Sequence, residues 1–160
     1  MSISESKKLW VMRHGLAQAE FESDFSRALS DVGKAQARDV ARQIKNSGEP
    51  LPVKMLVSPF KRTQQTASIV HQELGLVEPF ETEEMLVHFA DHQLLGDFLL
   101  ASEFHDLMIV SHMPIVARLC QYLSPGCGIY GFNTAQTVRL CLPESGEVKV
   151  EQNYLPESAL

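Results

Sequence analysis

Three short apolar runs in this chain each lead into side chains that can handle an anion. Leu9-Trp10-Val11-Met12 is followed by Arg13-His14-Gly15, Met55-Leu56-Val57 by Ser58-Pro59-Phe60-Lys61-Arg62, and Leu107-Met108-Ile109-Val110 by Ser111-His112-Met113-Pro114. An arginine presents a planar fork of donors that matches phosphate oxygens, and a neutral imidazole carries a lone pair that can attack phosphorus. In-line phosphoryl transfer needs a nucleophile opposite the leaving atom and positive donors around the equatorial oxygens. His14 is the candidate nucleophile, Arg13 and Arg62 the clamp, and His112 a further donor to the same oxygens. Flanking arginines disfavour protonation of His14 and keep it nucleophilic at physiological pH. A phosphohistidine intermediate would then be hydrolysed by water. The second nitrogen of His14 is expected to donate to an acceptor near Gly15; which nitrogen attacks is left open. The chain has no Walker A loop and no calcium-loop pattern, so no cofactor and no metal is implied.

These side chains need a scaffold that brings three separate segments to one point. Strand and helix patterns alternate, which predicts an α/β layered domain. Residues 8–13 read as a first strand. Ser30 is a helix cap, and Ala37, Val40, Ala41 and Ile44 share one helical face until Gly48 and Pro50 end it. Residues 54–58 form a second strand, apolar enough to be covered on both faces, and Pro59 turns into a helix buried through Ala67, Val70, His71 and Leu74, with Gly75 at its end. A short third strand near Pro79 to Thr82 gives way to a loop through His88 and Asp91. A helix from about His92 to Leu100 is expected to bury Leu94, Leu95 and Phe98.

The fourth strand, 106–111, is the most apolar. Pro114 suits the first turn of a helix lined by Ile115, Val116, Leu119, Cys120 and Leu123. After a loop marked by Pro125, Gly126, Gly128 and Gly131, the alternation of Val138, Leu140 and Leu142, then Val148 and Val150, predicts a hairpin at the sheet edge and hence a mixed, mostly parallel sheet. In open α/β sheets the ligand crevice lies beyond the carboxyl ends of the strands, where Arg13, His14, Arg62 and His112 all fall.

Length and composition fit a single domain over residues 1–160: 44% hydrophobic and 21% charged residues describe a globular chain with a sizeable core. A formal charge of -6 argues against nucleic acid or an anionic membrane as partner, so an anion must be caught by a local cluster. Cys120, Cys127 and Cys141 are odd in number and lack a CxxC spacing, and the polar start from Met1 to Lys8 has no apolar core. These features predict a cytoplasmic protein, read as a monomer.

Arg13-His14-Gly15, Arg62 within Ser-Pro-x-x-Arg-x-x-Gln-Thr-Ala, and His112 before an apolar helix resemble the histidine phosphatase superfamily, whose phosphoglycerate mutase branch carries the RHG signature. The short length, Val57-Ser58-Pro59-Phe60 and Ser111-His112-Met113-Pro114 resemble more closely the small SixA-type phosphohistidine phosphatases. Arg27-Ala28-Leu29-Ser30-Asp31-Val32-Gly33 is similar to the family's R-x-L-[ST]-x-x-G segment, which puts Arg27 near the rim of the site. The resemblance implies a three-layer α/β/α domain of phosphoglycerate mutase-like fold, a phosphoenzyme on His14, and phosphate held by Arg13, Arg62 and His112. Arg27, Gly15, Ser58 and His88 are the further expected substrate contacts.

Superfamily members that cleave phosphate esters place a carboxylic acid after the third strand, in a Leu-x-Glu setting. Here Met85-Leu86-Val87-His88 puts a histidine in that slot. An alkoxide leaving group depends on a general acid, whereas a phosphoramidate nitrogen is protonated more readily. This favours a phosphohistidine on a protein, such as the phosphotransfer domain of a two-component relay. Glu83, Glu84, Asp91 or His88 stay open as proton donors, and with them a small-molecule phosphomonoesterase as the alternative; a non-catalytic phosphate-binding module is the third reading.

Overall fold

A computed structural model describes residues 6–19 and 23–157. The strands are β1 (Lys7–Arg13), β2 (Lys54–Val57), β3 (Glu81–Thr82), β4 (Leu107–Ser111), β5 (Thr137–Leu142) and β6 (Lys149–Tyr154). The helices are α1 (Asp31–Asn46), α2 (Lys61–Leu74), α3 (His92–Ala101) and α4 (Ile115–Leu123), with a 3-10 turn at Glu84–Leu86. All six strands form one sheet in the order β3-β2-β4-β1-β5-β6. β1, β4, β2 and β3 pair in parallel; β5 pairs antiparallel with both β1 and β6. The sheet is therefore mixed and mostly parallel, as expected.

Side chains alternate across a strand, so each central strand feeds two cores. Leu9 and Val11 of β1, Leu107 and Ile109 of β4, and Val138 and Leu140 of β5 pack with Leu95 and Leu99 of α3 and Val116, Leu119 and Cys120 of α4. On the other face Trp10, Met12, Met55, Val57, Met108 and Val110 pack with Ala37, Val40, Ala41 and Ile44 of α1 and Ala67, Val70 and Leu74 of α2. This gives the three layers of an α/β/α fold. Burial of each such Leu, Ile, Val or Met side chain contributes about 2 kcal/mol.

The helix signals act where the sequence puts them. The Ser30 hydroxyl accepts from Gly33 N–H at 3.0 Å, and Gly75 closes α2 in the left-handed conformation at φ 67°. Pro114 stands at the cap of α4, one residue before its first turn. Other details differ. The buried stripe of α3 is Leu95, Gly96 and Leu99, while Leu94 and Phe98 lean outward. The reason is the neighbour: Gly96 lets α3 close against the Tyr122 ring of α4, where a β-carbon would stand 2.5 Å from Cδ2. β2 is covered fully on only one face, with Leu56 half-buried on the other. In α2, His71 is also half-buried, with Nε2 2.6 Å from the Glu78 carbonyl, and Thr63 and Thr66 take part in the buried face.

Candidate active site

Because β2, β4 and β1 are adjacent and parallel, their carboxyl ends open side by side. His14 follows β1, and its backbone is pinned on both sides: its N–H donates to Ser111 O at 3.0 Å and its carbonyl accepts from Ala135 N–H at 2.9 Å. His14 Nδ1 lies 2.6 Å from the Gly15 carbonyl. A carbonyl can only accept, so Nδ1 carries the proton and Nε2 keeps its lone pair. Of the two ring nitrogens it is therefore Nε2 that carries the lone pair facing Arg62. Burial, opposed by the Gly15 bond and reinforced by Arg62, Arg13 and Arg27, pushes the pKa of His14 down to about 3. The ring is neutral at physiological pH.

Arg62 sits in the first turn of α2, nearly all of it buried, and its Nε donates to His14 Nε2 at 3.3 Å. Arg13, the last residue of β1, has Nη1 on the Phe132 carbonyl at 2.7 Å, while its buried Nε has no partner among the described residues. His112 follows β4, and its ring meets that of His14 edge-on at 5.3 Å. Ser58 Oγ lies 2.7 Å from His112 Nε2 and itself accepts from Phe60 N–H at 3.4 Å. The Ser58 hydroxyl hydrogen has no other acceptor among the described residues, and donated to His112 Nε2 it puts the proton of the neutral ring on Nδ1. That Nδ1 is buried and without a protein partner among the described residues. Burial, then His14, Arg62, His88 and Arg13, lower the pKa of His112 to about 2.

Arg13, His14, Arg27, Arg62, His88 and His112 line one cavity of about 300 Å³, joined by Leu16, Ala17, Asp24, Met113 and Thr134. Gly15 and Ser58, expected as substrate contacts, stand behind this lining rather than in it. Gly15 N–H donates to Thr66 Oγ1 at 3.1 Å, and Ser58 is fully buried against His112. Both lie against residues behind or in the cavity wall, Thr66 for Gly15 and His112 for Ser58. A larger cleft of about 520 Å³ lies at the other end of the strands, where Lys7, Glu103, His105 and Glu144 mix both signs of charge and gather no anion clamp.

Residues 9–90 match the histidine phosphatase superfamily, branch 1. Phosphohistidine phosphatase SixA of Escherichia coli K12 is 32% identical over 143 residues, covering 87% of this chain and 88% of that protein. The chain belongs to the histidine phosphatase superfamily. A SixA homolog of Haemophilus influenzae is 32% identical over 120 residues, covering 69% of this chain and 73% of that protein. The structure of the protein histidine phosphatase SixA complexed with tungstate superposes with a TM-score of 0.86 at 30% identity, over 93% of this chain and 97% of that one.

In this histidine phosphatase the slot after β3 is filled by His88, which faces the cavity. The three carboxylates left open as donors are elsewhere. Glu83 caps the 3-10 turn through Met85 N–H at 3.2 Å, Asp91 caps α3 through Gln93 and Leu94 N–H at 2.9 and 3.2 Å, and Glu84 is exposed on the 3-10 turn. The carboxylate that does reach the cavity is Asp24, which the sequence analysis did not single out. Its spacing three residues before Arg27 was the available signal, since it brings the two side chains together at 3.1 Å. Thr66, quoted in the Arg62 motif without a role, was missed as the acceptor for Gly15 N–H.

The two neutral histidines make stability depend on pH with a definite sign. Their folded pKa values lie below the ordinary 6.5, so on acidification the unfolded chain takes up protons that the fold refuses. Their contribution is constant above pH 6.5 and destabilising as the pH falls from there toward 3, by up to about 1.4 kcal/mol per pH unit for each ring. Urea midpoints at pH 7.5 and 5 are expected to differ more for the wild type than for His112→Gln; equal differences in the two proteins would refute the assignment.

Proposed function

We propose that this chain is a phosphohistidine phosphatase that removes phosphoryl groups from histidine side chains of proteins. The observation that carries the reading is the neutral His14 Nε2 beside the Arg62 guanidinium, with its other nitrogen locked on a carbonyl. In the first step the Nε2 lone pair attacks phosphorus. The bond from phosphorus to the substrate imidazole breaks, and the departing nitrogen keeps the electron pair and takes up a proton. In the second step water attacks phosphorus, the bond to Nε2 breaks, and inorganic phosphate leaves with His14 restored.

Arg13, Arg62 and His112 are the donors to the equatorial oxygens in this scheme, and Arg27 is a further contact at the rim. The unpartnered Arg13 Nε and His112 Nδ1 are donors that a phosphoryl oxygen would satisfy. No cofactor or metal enters. A nitrogen leaving group is supported by His88 in the acid slot and by Glu83 and Asp91 being tied up as caps. A protein-borne substrate is supported by the similarity to phosphohistidine phosphatase SixA and its homolog and by the exposed rings of Phe25 and Phe89 flanking Phe60 and His88 at the mouth. The reading includes a monomeric, cytoplasmic enzyme acting on a phosphorylated protein partner such as a phosphotransfer domain; among the described residues no helix is long and apolar enough to cross a membrane.

The test compares initial rates on a phosphorylated phosphotransfer domain and on an alkyl phosphate monoester. The phosphorylated domain is expected to be favoured by about 100-fold or more in kcat/KM, the scale on which a missing general acid handicaps an alkoxide. Preference for the ester would overturn the reading.

A further inference from the structure

One carboxylate stands among the cations of the cavity, and the transfer scheme leaves it without a task. Asp24 Oδ1 accepts from Arg27 Nη2 at 3.1 Å and lies 3.3 Å from Arg62 Nη1. Its Oδ2 accepts from Arg62 Nη2 at 3.4 Å and lies 3.7 Å from His88 Nε2. The Asp24 carbonyl adds a third tie, accepting from Arg62 Nη1 at 2.8 Å. The side chain thus spans two guanidiniums and an imidazole, which are donors that a phosphoryl group entering the same cavity would use. It is half exposed, at 51%, whereas the Arg62 side chain it engages is 5% exposed.

We propose that Asp24 is a resident counter-anion of the phosphoryl pocket: phosphate displaces it from Arg62 and Arg27 on entry, and its return helps expel inorganic phosphate after hydrolysis. The physical need is set by the clamp itself. Several cationic donors in a buried pocket grip a dianion well, and a product gripped as firmly as the substrate leaves slowly. A tethered carboxylate with a single charge is a poor rival for the transferring phosphoryl group, but it is always at hand. Its competition falls on every bound anion and shortens the stay of the product. The opposite possibility is that Asp24 only orients the two arginines for phosphate, and the two roles predict opposite signs.

The role in product release rests on the proposed phosphatase activity, while phosphate affinity does not. The probe is inorganic phosphate, titrated calorimetrically into wild type, Asp24→Asn and Asp24→Glu. Removing a half-exposed competing charge is expected to tighten phosphate binding about tenfold in Asp24→Asn. Asp24→Glu keeps the charge and is expected within about twofold of wild type. On a phosphorylated phosphotransfer domain, kcat and KM of Asp24→Asn are expected to fall together. Unchanged or weaker phosphate binding in Asp24→Asn overturns the counter-anion and makes Asp24 an anchor for the arginines. If the wild type releases no phosphate from a phosphohistidine protein, the phosphatase reading fails, and the titration still decides the role of Asp24.

Discussion

His14→Ala is expected to abolish the acid-labile, alkali-stable phosphoenzyme and to lower phosphate release at least about 10⁴-fold. The magnitude follows from the absence of a substitute. His112 is the nearest other imidazole, but its Nε2 is engaged by Ser58 and its free atom is a donor rather than a lone pair. His88 packs edge-on against His112 and Phe60, with its ring 5.1 Å from that of His112. Arg13, Arg62 and His112 survive in the variant, so it is expected to bind inorganic phosphate while turning over almost nothing. Rapid-quench labelling with a phosphorylated phosphotransfer domain reads the phosphoenzyme directly. Turnover retained within about tenfold of wild type would sink the mechanism.

Gly33→Ala is expected to destabilise the fold by about 3 kcal/mol, against the sign that helix propensity alone predicts. Gly33 lies in the first turn of α1, where alanine is ordinarily the better residue by about 1 kcal/mol. A β-carbon there would stand 2.1 Å from the Leu16 carbonyl oxygen and 2.7 Å from its nitrogen, and these are backbone atoms that cannot swing aside. Leu16 is also held in place, its N–H on Gln36 Oε1 at 2.9 Å and its carbonyl on Ser30 Oγ at 2.8 Å. From the other side, a β-carbon on Gly15 would meet the Gly33 carbonyl oxygen at 2.4 Å. The first turn of α1 therefore rests directly on the loop that orients the His14 ring. Pushing it away moves the Gly15 carbonyl off Nδ1, so activity is expected to fall with stability. Gly131→Ala, which meets nothing within 4 Å, is the control and is expected to leave the urea midpoint unchanged within about 0.5 kcal/mol.

The sequence was most legible where burial is symmetrical. β1 and β4 are covered on both faces, so their continuous apolar runs announced strands, and the residues after them announced a site. Caps were equally readable, because Ser30 and Gly75 satisfy backbone groups within their own helix ends. α3 was misread on its faces because Leu94, Leu95, Phe98 and Leu99 are all apolar, and only the Gly96 approach to Tyr122 selects the stripe. Asp24 and Thr66 were missed for a different reason. Each acts on a residue distant in the chain, Arg62 for one and Gly15 for the other, and the local Asp24–Arg27 spacing points to neither. The support role of Ser58 likewise becomes visible only when β2 and β4 lie side by side.

The strand order β3-β2-β4-β1-β5-β6 has a consequence for how such a chain can change over time. The groups assigned here to phosphoryl transfer follow the three neighbouring strands β2, β4 and β1, and the central strands of a sheet are in general the last to open in native-state fluctuations. The residues around the mouth of the cavity, Asp24, Phe25, His88 and Phe89, belong instead to connecting segments. Connecting segments accept substitution and insertion far more readily than a buried sheet does. Selection for a new partner can therefore rewrite the rim while the nucleophile and its clamp stay in register, so that recognition drifts and chemistry is inherited.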